Sequence, residues 1–251
     1  MSLIKTSEEI GKLRVGGREL AIVLKKVAGL VQPGITTGEL NQVAEELIAE
    51  IGGVPSFKGY GEPIPFPTGL CTSINEQIVH GIPSQRVLQS GDIISLDIGM
   101  EKDGLFTDMA LTVPVGKISK EAKKLLKVTN RALVIGMKQC RVNNTLGDIG
   151  WAIQQYVEKN GFQVVRDLVG HGVGHAVHEE PTVPNFGVRS RGMKLEPGMV
   201  LALEPMVTIG DYNIEYEDDN WTIRTRDHSL SGHFEHTVAI TSKGPIVITS
   251  L

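Results

Sequence analysis

The sequence predicts an α+β fold made of two similar α/β halves related by an approximate two-fold axis. A curved antiparallel sheet would carry helices on its outer face. Three observations predict this. The order helix, helix, His-bearing segment, two acid-bearing strands occurs twice in the 251 residues. Each acid-bearing strand is short and otherwise apolar. The chain is also long enough to bury a sizeable core, so neither disulfides nor a structural metal is needed merely to fold. The halves span about 7–116 and 117–251, within one domain covering 1–251.

In the first half, Ser7 is placed to cap a helix with apolar residues at Ile10, Leu13, Leu20, Leu24, Val27 and Val31, stopped by Gln32-Pro33-Gly34. A second helix follows Thr37, with Leu40, Val43, Leu47 and Ile51 on one face, and ends at Gly52-Gly53. The stretch from Tyr60 to Gly69 is rich in Gly and Pro and reads as loop. Strands follow around Leu70–Ile74 and Gln77–Gly81. Ile93–Gly99 and Leu105–Leu111 then read as buried strands joined by Met100-Glu101-Lys102-Asp103-Gly104, a hairpin with Asp97 in one arm and Asp108 in the other.

The second half repeats this order. Ser119 caps a long helix running to about Gln139, and another helix starts near Gly147. Gly38–Gly52 aligns with Gly147–Gly161 without a gap, at an offset of 109 (147 minus 38). Gly91–Asp97 matches Gly198–Glu204, which sets Asp97 on Glu204, and Phe106–Leu111 matches His233–Val238, which sets Asp108 on Glu235. Val79-His80-Gly81-Ile82-Pro83 resembles Val177-His178-Glu179-Glu180-Pro181. Two copies at so long a period indicate a duplicated architecture rather than a solenoid.

A carboxylate alone in an apolar strand is costly to bury, so it should be paired or should bind a metal. Four of them meeting in one pocket would repel each other unless cations sit between them. Two divalent ions bridged by carboxylates resolve the conflict, and a water between such ions is acidified towards hydroxide near neutral pH. A fifth ligand is available from Gly170–Pro181, which holds His171, His175 and His178. Their i, i+4, i+7 spacing also suits a helical zinc site. However, the H-E-x-x-H signature needs Glu where Gly172 stands, and Gly172 and Gly174 each disfavour helix by about 1 kcal/mol. One His with several carboxylates suits Co, Mn, Fe or Zn without choosing among them.

Net charge is −4 with both signs scattered, so neither a nucleic-acid nor a membrane surface is expected as partner. Cys71 and Cys140 form no CxxC pair, which suits a reducing, cytoplasmic compartment. The N-terminal residues show no apolar core of signal-peptide length, and no run approaches the roughly 20 apolar residues of a membrane span.

Asp97, Asp108, His171, Glu204 and Glu235, with His80-Gly81-Ile82-Pro83, His178-Glu179-Glu180-Pro181, Glu204-Pro205 and Phe234-Glu235-His236-Thr237, closely resemble the type I methionine aminopeptidases. The resemblance runs from the first helix to Thr249 and implies that family's duplicated "pita-bread" fold. It implies that Asp97, Asp108, His171, Glu204 and Glu235 ligate two divalent metal ions. Asp108 and Glu235 would bridge them, with Asp97 on one ion and His171 and Glu204 on the other. The implied activity is removal of the initiator methionine from nascent proteins and peptides with a small second residue, by a metal-bridging hydroxide. Glu204 would carry a proton to the leaving amine, and His80 and His178 would hydrogen-bond the substrate. Tyr60, Phe66, Cys71, His80 and Trp221 would wall the methionine pocket. The resemblance further suggests a monovalent cation held by main-chain carbonyls near Asn75, Gln77 and Ser231. A monomer acting on peptide N-termini is expected, and association with the ribosome is left open.

Type I is favoured over type II because only 31 positions (235 minus 204) separate the last two acids, too few for the type II helical insertion. A Cys/His-rich N-terminal extension of the zinc-finger kind is also absent from the sequence. The chain departs from the family pattern at Val177, where Phe is usual, at His175, at His233, where Gln is usual, and in a longer 59–66 loop. Loss of the aromatic at 177 predicts broader recognition of the first side chain. Two rivals remain: a proline-directed pita-bread peptidase, of the X-Pro aminopeptidase or prolidase type, and a non-catalytic pita-bread binding module. The first usually carries a further N-terminal domain, and the second loses metal ligands that this chain retains.

Overall fold

Thr6, not the expected Ser7, caps the first helix in the computed structural model, which describes residues 2–251. The Thr6 hydroxyl accepts from the Glu9 amide at 3.2 Å, and the Glu9 carboxylate accepts from the Thr6 amide at 2.7 Å. This reciprocal capping box needs an acid three residues after the cap, which Thr6 has. Helix α1 (Ser7–Gly29) ends before Val31. Thr36 and Glu39 build the same box at the start of α2 (Thr37–Glu50), while the Thr37 hydroxyl turns to the backbone of Ser84. In the second half, Ser119 caps α3 (Lys120–Gln139) as expected. At the start of α4 (Leu146–Lys159) the Asp148 carboxylate accepts from the Thr145 amide at 2.9 Å. Thr36 and Glu39 thus recur as Thr145 and Asp148, at the offset of 109 found in the sequence (145 minus 36).

The first half supplies β1 (Val54–Pro55), β2 (Leu70–Ile74), β3 (Gln77–Val79), β4 (Ile93–Lys102) and β5 (Leu105–Pro114). The expected strand over 77–81 stops at Val79 because His80 takes φ 58°, in the left-handed region. β4 and β5 form one antiparallel hairpin with a continuous register from Ile93↔Pro114 to Lys102↔Leu105. Asp103 and Gly104, at φ 53° and 75°, make the two-residue turn whose twist suits such a hairpin. The strands are longer than the apolar runs alone suggest, since the polar Glu101 and Lys102 also pair.

The second half supplies β6 (Gln163–Val164), β7 (Gly170–Gly172), β8 (Glu179–Val183), β9 (Val200–Leu203), β10 (Met206–Thr208), β11 (Ile214–Tyr216), β12 (Ile223–Thr225), β13 (Ser231–His233), β14 (His236–Thr241) and β15 (Gly244–Val247). Its main sheet runs β15-β14-β9-β7-β8. In the first half β4 pairs with β5 on one side and with β1 and β2 on the other. β5, β4 and β2 therefore correspond to β14, β9 and β7. Two small three-stranded sheets, β13-β10-β6 and β11-β12-β3, complete the fold.

Strand alternation sorts the side chains. Ile94, Leu96 and Ile98 pack with Leu20, Leu24, Val27, Leu40, Ala44 and Ile48 of α1 and α2. Leu201, Leu203, Val238 and Ile240 pack likewise with Leu125, Val128, Leu133, Ile149 and Ile153 of α3 and α4. The intervening residues, Asp97 and Asp108 among them, face the other way.

The halves meet where β5 lies beside the β13–β14 segment. The Glu235 amide donates to the Ala110 carbonyl at 2.8 Å. Two residues along β5, the Thr112 hydroxyl accepts from the His233 amide and donates to the His233 carbonyl, both at 2.8 Å. Two residues back, the Thr237 hydroxyl does the same for Asp108. This antiparallel seam mixes backbone and threonine contacts and makes one curved surface from both sheets. Among the described residues, no helix is long and apolar enough to cross a membrane.

Candidate metal centre and substrate cavity

Asp97 pairs with Ala110 and Asp108 with Gly99, so the two acids sit diagonally on one face of the hairpin, each opposite a small residue. Glu204 follows β9 and Glu235 precedes β14, one step beyond the His236↔Leu203 pair. The seam carries both pairs to the same place. Asp97 is 9 % exposed and Asp108 and Glu235 are each 2 % exposed.

His171 lies at the centre of β7, paired with Ala202 on β9. Its Nε2 is 3.4 Å from Glu204 Oε1 and 4.0 Å from Asp108 Oδ2. Its Nδ1 is 2.9 Å from the Gly172 carbonyl, which makes Nδ1 the protonated nitrogen and leaves Nε2 free as a ligand. Three triads of donor atoms lie within 4.8 Å of one another: Asp97, Asp108 and Glu235; His171, Glu204 and Glu235; Asp108, His171 and His178. Glu235 belongs to two of them.

The electrostatics of this cluster are unfavourable as it stands. Burial pushes the Asp97 carboxyl up to about 7. Asp108, Glu204 and Glu235 are held well above the usual carboxylate range, first by burial and then by the neighbouring carboxylates. Burial pushes His171 down to about 3. Asp97 Oδ1 and Glu235 Oε1 are buried with no hydrogen-bond partner. Oxygen-rich triads with orphaned, buried acceptors and one imidazole are the donor set a pair of divalent cations requires, so these residues fit the metals.

The cluster forms the floor of a cavity of about 210 Å³, and all of the residues expected around the site line it: Tyr60, Phe66, Cys71, His80, His178 and Trp221 together with the four acids and His171. The His178 ring lies 4.4 Å from that of His171 and 4.9 Å from that of Tyr60. Burial lowers His178, and burial followed by the charge of His178 takes His80 down to about 4, so both are neutral imidazoles near pH 7. Trp221 packs edge-on against Phe66 at 5.3 Å, and its indole N–H donates to the Ile64 carbonyl at 3.1 Å, which ties the 59–66 loop to this side of the cavity. Burial, followed by the nearby acids, raises the Cys71 thiol well above its usual range, so it is no nucleophile.

The helical zinc reading of the three histidines does not survive. His171 is in a strand and His175 lies in the following turn, its Nε2 2.8 Å from Glu9 Oε1 and outside the cavity lining. Val177 also lies off the lining and packs behind it on Phe57, Phe66 and Cys71. Near the suggested monovalent-cation position, the Asn75 carbonyl accepts from the Ser231 amide at 2.8 Å, and the Gln77 side chain is turned to Glu217. Sequence reasoning missed Phe57, Val79, Leu168, Thr182 and Met206 in the lining. Only Phe57 carried a usable signal, as an aromatic residue at the edge of the Gly/Pro-rich loop. His233, noted in the sequence only as a departure from the family pattern, is buried with both ring nitrogens unpartnered and Nε2 3.7 Å from Glu204 Oε2.

Residues 11–242 match Metallopeptidase family M24. The methionine aminopeptidase of Clostridium perfringens (strain 13 / Type A) is 49 % identical over 250 residues, covering 99 % of both chains. The crystal structure of methionine aminopeptidase from Rickettsia prowazekii superposes with a TM-score of 0.96 at 37 % identity, covering 98 % of this chain and 99 % of that one. An Xaa-Pro dipeptidase from Bacillus anthracis shares the fold alone, with a TM-score of 0.77 at 22 % identity over 99 % of this chain and 62 % of its own. The chain therefore belongs to metallopeptidase family M24 and, within it, to the methionine aminopeptidases of pita-bread fold.

Proposed function

We propose that this enzyme removes the initiator methionine from nascent proteins and peptides whose second residue is small, using two divalent cations held by Asp97, Asp108, His171, Glu204 and Glu235. The observation that carries the reading is the convergence of four carboxylates, two from each half and three of them buried, with His171 on the floor of one cavity walled in part by aromatic side chains. When bound, the cations supply Lewis acidity and an acidified water. Ion identity among Co, Mn, Fe and Zn is not set by the donors, and Asp108 and Glu235 are the proposed shared ligands.

The protein's own groups divide the remaining work. Phe57, Phe66, Cys71 and Trp221 exclude water from the methionine side chain, and the Cys71 sulfur is a soft neighbour for a thioether. The neutral His80 and His178 each offer one N–H to the substrate carbonyl without placing a positive charge beside the cations. Glu204 Oε2 points towards His233 and Oε1 towards His171, and we assign to this carboxyl the proton that passes to the leaving amine. A single-domain monomer in the cytoplasm, a monovalent cation near Asn75, Gln77 and Ser231, and peptide N-termini as the partner complete the reading; docking on the ribosome is a separate question for binding assays.

Turnover of Met-Ala-Ser during a titration with Co, Mn, Fe or Zn tests this directly. Metal-dependent release of methionine with no action on Pro-X or X-Pro peptides is expected. Preference for X-Pro substrates would transfer the enzyme to the proline-directed class that shares the fold, and purified protein free of metal binding would leave only the binding-module reading.

A further inference from the structure

The N-terminal segment is tied to the β7–β8 turn by side chains that the proposed chemistry does not use. Lys5 is 3 % exposed and pairs with Glu179 Oε1, while its amide donates to the Gly198 carbonyl at 2.8 Å. The turn is shaped to admit the lysine stem. Gly174 has φ 137°, and a Cβ there would lie 2.6 Å from Lys5 Cε. The other oxygen of Glu179 accepts from the His175 amide at 3.3 Å, which closes the turn. Glu9 joins from α1: its Oε2 serves the Thr6 cap, and its Oε1 lies 2.8 Å from His175 Nε2. From below, the Val173 amide donates to the Val200 carbonyl at 3.1 Å and the Phe106 amide to the Gly174 carbonyl at 2.8 Å.

His178 stands immediately before Glu179, at the end of this clamped turn. None of Lys5, Glu9, His175 and Glu179 lines the cavity. A buried Lys–Glu pair is weak evidence for stability, because desolvation offsets the attraction, whereas fixing one conformation is a role such pairs can serve. Here the conformation fixed is that of the turn carrying His178.

We infer that Lys5 and His175 are positioning residues for His178, and that the N-terminal segment is part of the frame of the active site. The inference rests on the reading of His178 as a residue that contacts substrate. A displacement of about 1 Å at such a group can cost up to about a hundredfold in rate.

The test is a pair of double-mutant cycles on the metal-loaded enzyme: Lys5→Met and His175→Ala, each in the wild-type and in the His178→Ala background. Initial rates on Met-Ala-Ser, metal equivalents per chain and thermal midpoints are measured. Each variant should lower kcat by about tenfold in the wild-type background, with KM within about twofold and metal content unchanged. In the His178→Ala background the same changes should move kcat by less than about twofold. Equal fold-losses in both backgrounds, loss of metal, or no effect in the wild type would overturn the inference. Should Lys5→Met fail to fold, His175→Ala carries the test, because its side chain is partly exposed and its loss leaves the Thr6 cap in place. Full activity in His178→Ala would remove both the role of His178 and this inference. A slow His178→Ala with unaffected Lys5→Met and His175→Ala would remove this inference only.

Discussion

The Thr237 hydroxyl accepts from the Asp108 amide at 3.0 Å and donates to the Asp108 carbonyl at 2.8 Å. One side chain of the second half thus satisfies both backbone groups of an acid in the first half, at the seam where β5 and β14 meet. Thr237→Val keeps the shape but orphans a buried N–H and a buried C=O, each costing about 1–3 kcal/mol. The thermal midpoint should fall by at least about 4 °C at this chain length. Thr237→Ser, which restores the hydroxyl, should recover most of the loss in calorimetry.

Asp108→Asn and Glu235→Gln test the floor of the cavity. Each replaces an anionic donor at the proposed shared positions with a neutral amide that binds divalent ions weakly. Turnover of Met-Ala-Ser should disappear, and metal equivalents measured by elemental analysis should fall, while circular dichroism keeps its native form. Full activity in either variant would dismiss the two-cation centre.

The hairpin holding Asp97 and Asp108 was legible because its apolar residues alternate with the acids and with small residues, and its repeat around Glu204 and Glu235 made the coincidence informative. The first cap was misplaced by one residue although its signal was present: Glu9 stands three positions after Thr6, and a capping box outweighs a lone serine at position 7. The end of β3 was not legible, since a left-handed backbone is uncommon at any residue but glycine and histidine's modest enrichment there is too weak a cue to end a strand at His80. Nor was the partner of Lys5, because Glu179 lies 174 residues away and a single lysine before a helix reads as solvated. Val177 was expected to loosen the pocket wall because Phe is usual there in the family it resembles, yet neighbours in an extended turn point to different sides, and it lies behind the lining.

Stability of the metal-free enzyme should fall between pH 6.5 and 8. In this window the unfolded chain has already released the protons of its carboxyls, and it releases those of its histidines from about half at the lower edge to nearly all at the upper. The folded state still holds protons on these acids, with Asp97 at about 7 and Asp108, Glu204 and Glu235 also held well above the usual carboxylate range by burial. A group whose folded pKa is raised stabilises most below its unfolded value and loses that contribution as pH rises through the folded one, so stability declines with pH. Below about 6.5 the buried neutral histidines, His171 and His233 at about 3, oppose the trend, because the unfolded chain protonates them. Thermal midpoints in chelator at pH 6.5, 7, 7.5 and 8 should decrease, and saturating Mn should flatten the series, since bound cations keep the carboxylates ionised in place. A midpoint in chelator that rises across this window would contradict the protonated floor.

Val177 sets how firmly the aromatic wall is backed. It is 5 % exposed and packs with Phe57, Phe66 and Cys71, with Phe106 and Trp221 beside them. A β-branched residue here supports the wall with less surface than an aromatic ring, so the wall can yield to first residues of different shape. The enzyme should therefore accept leucine and norleucine with kcat/KM within about tenfold of methionine, near the lower end of what one hydrophobic pocket can discriminate. Val177→Phe adds volume behind the wall and should widen the ratio, chiefly through kcat/KM for leucine, whose branch needs the most room. The site sits off the cavity floor, so metal equivalents per chain should not change. Competition assays with Met-, Leu- and norleucine-initiated peptides decide the matter: strict methionine preference in the unmodified enzyme, or a ratio untouched by Val177→Phe, would show that Tyr60, Phe66 and Trp221 alone define the fit.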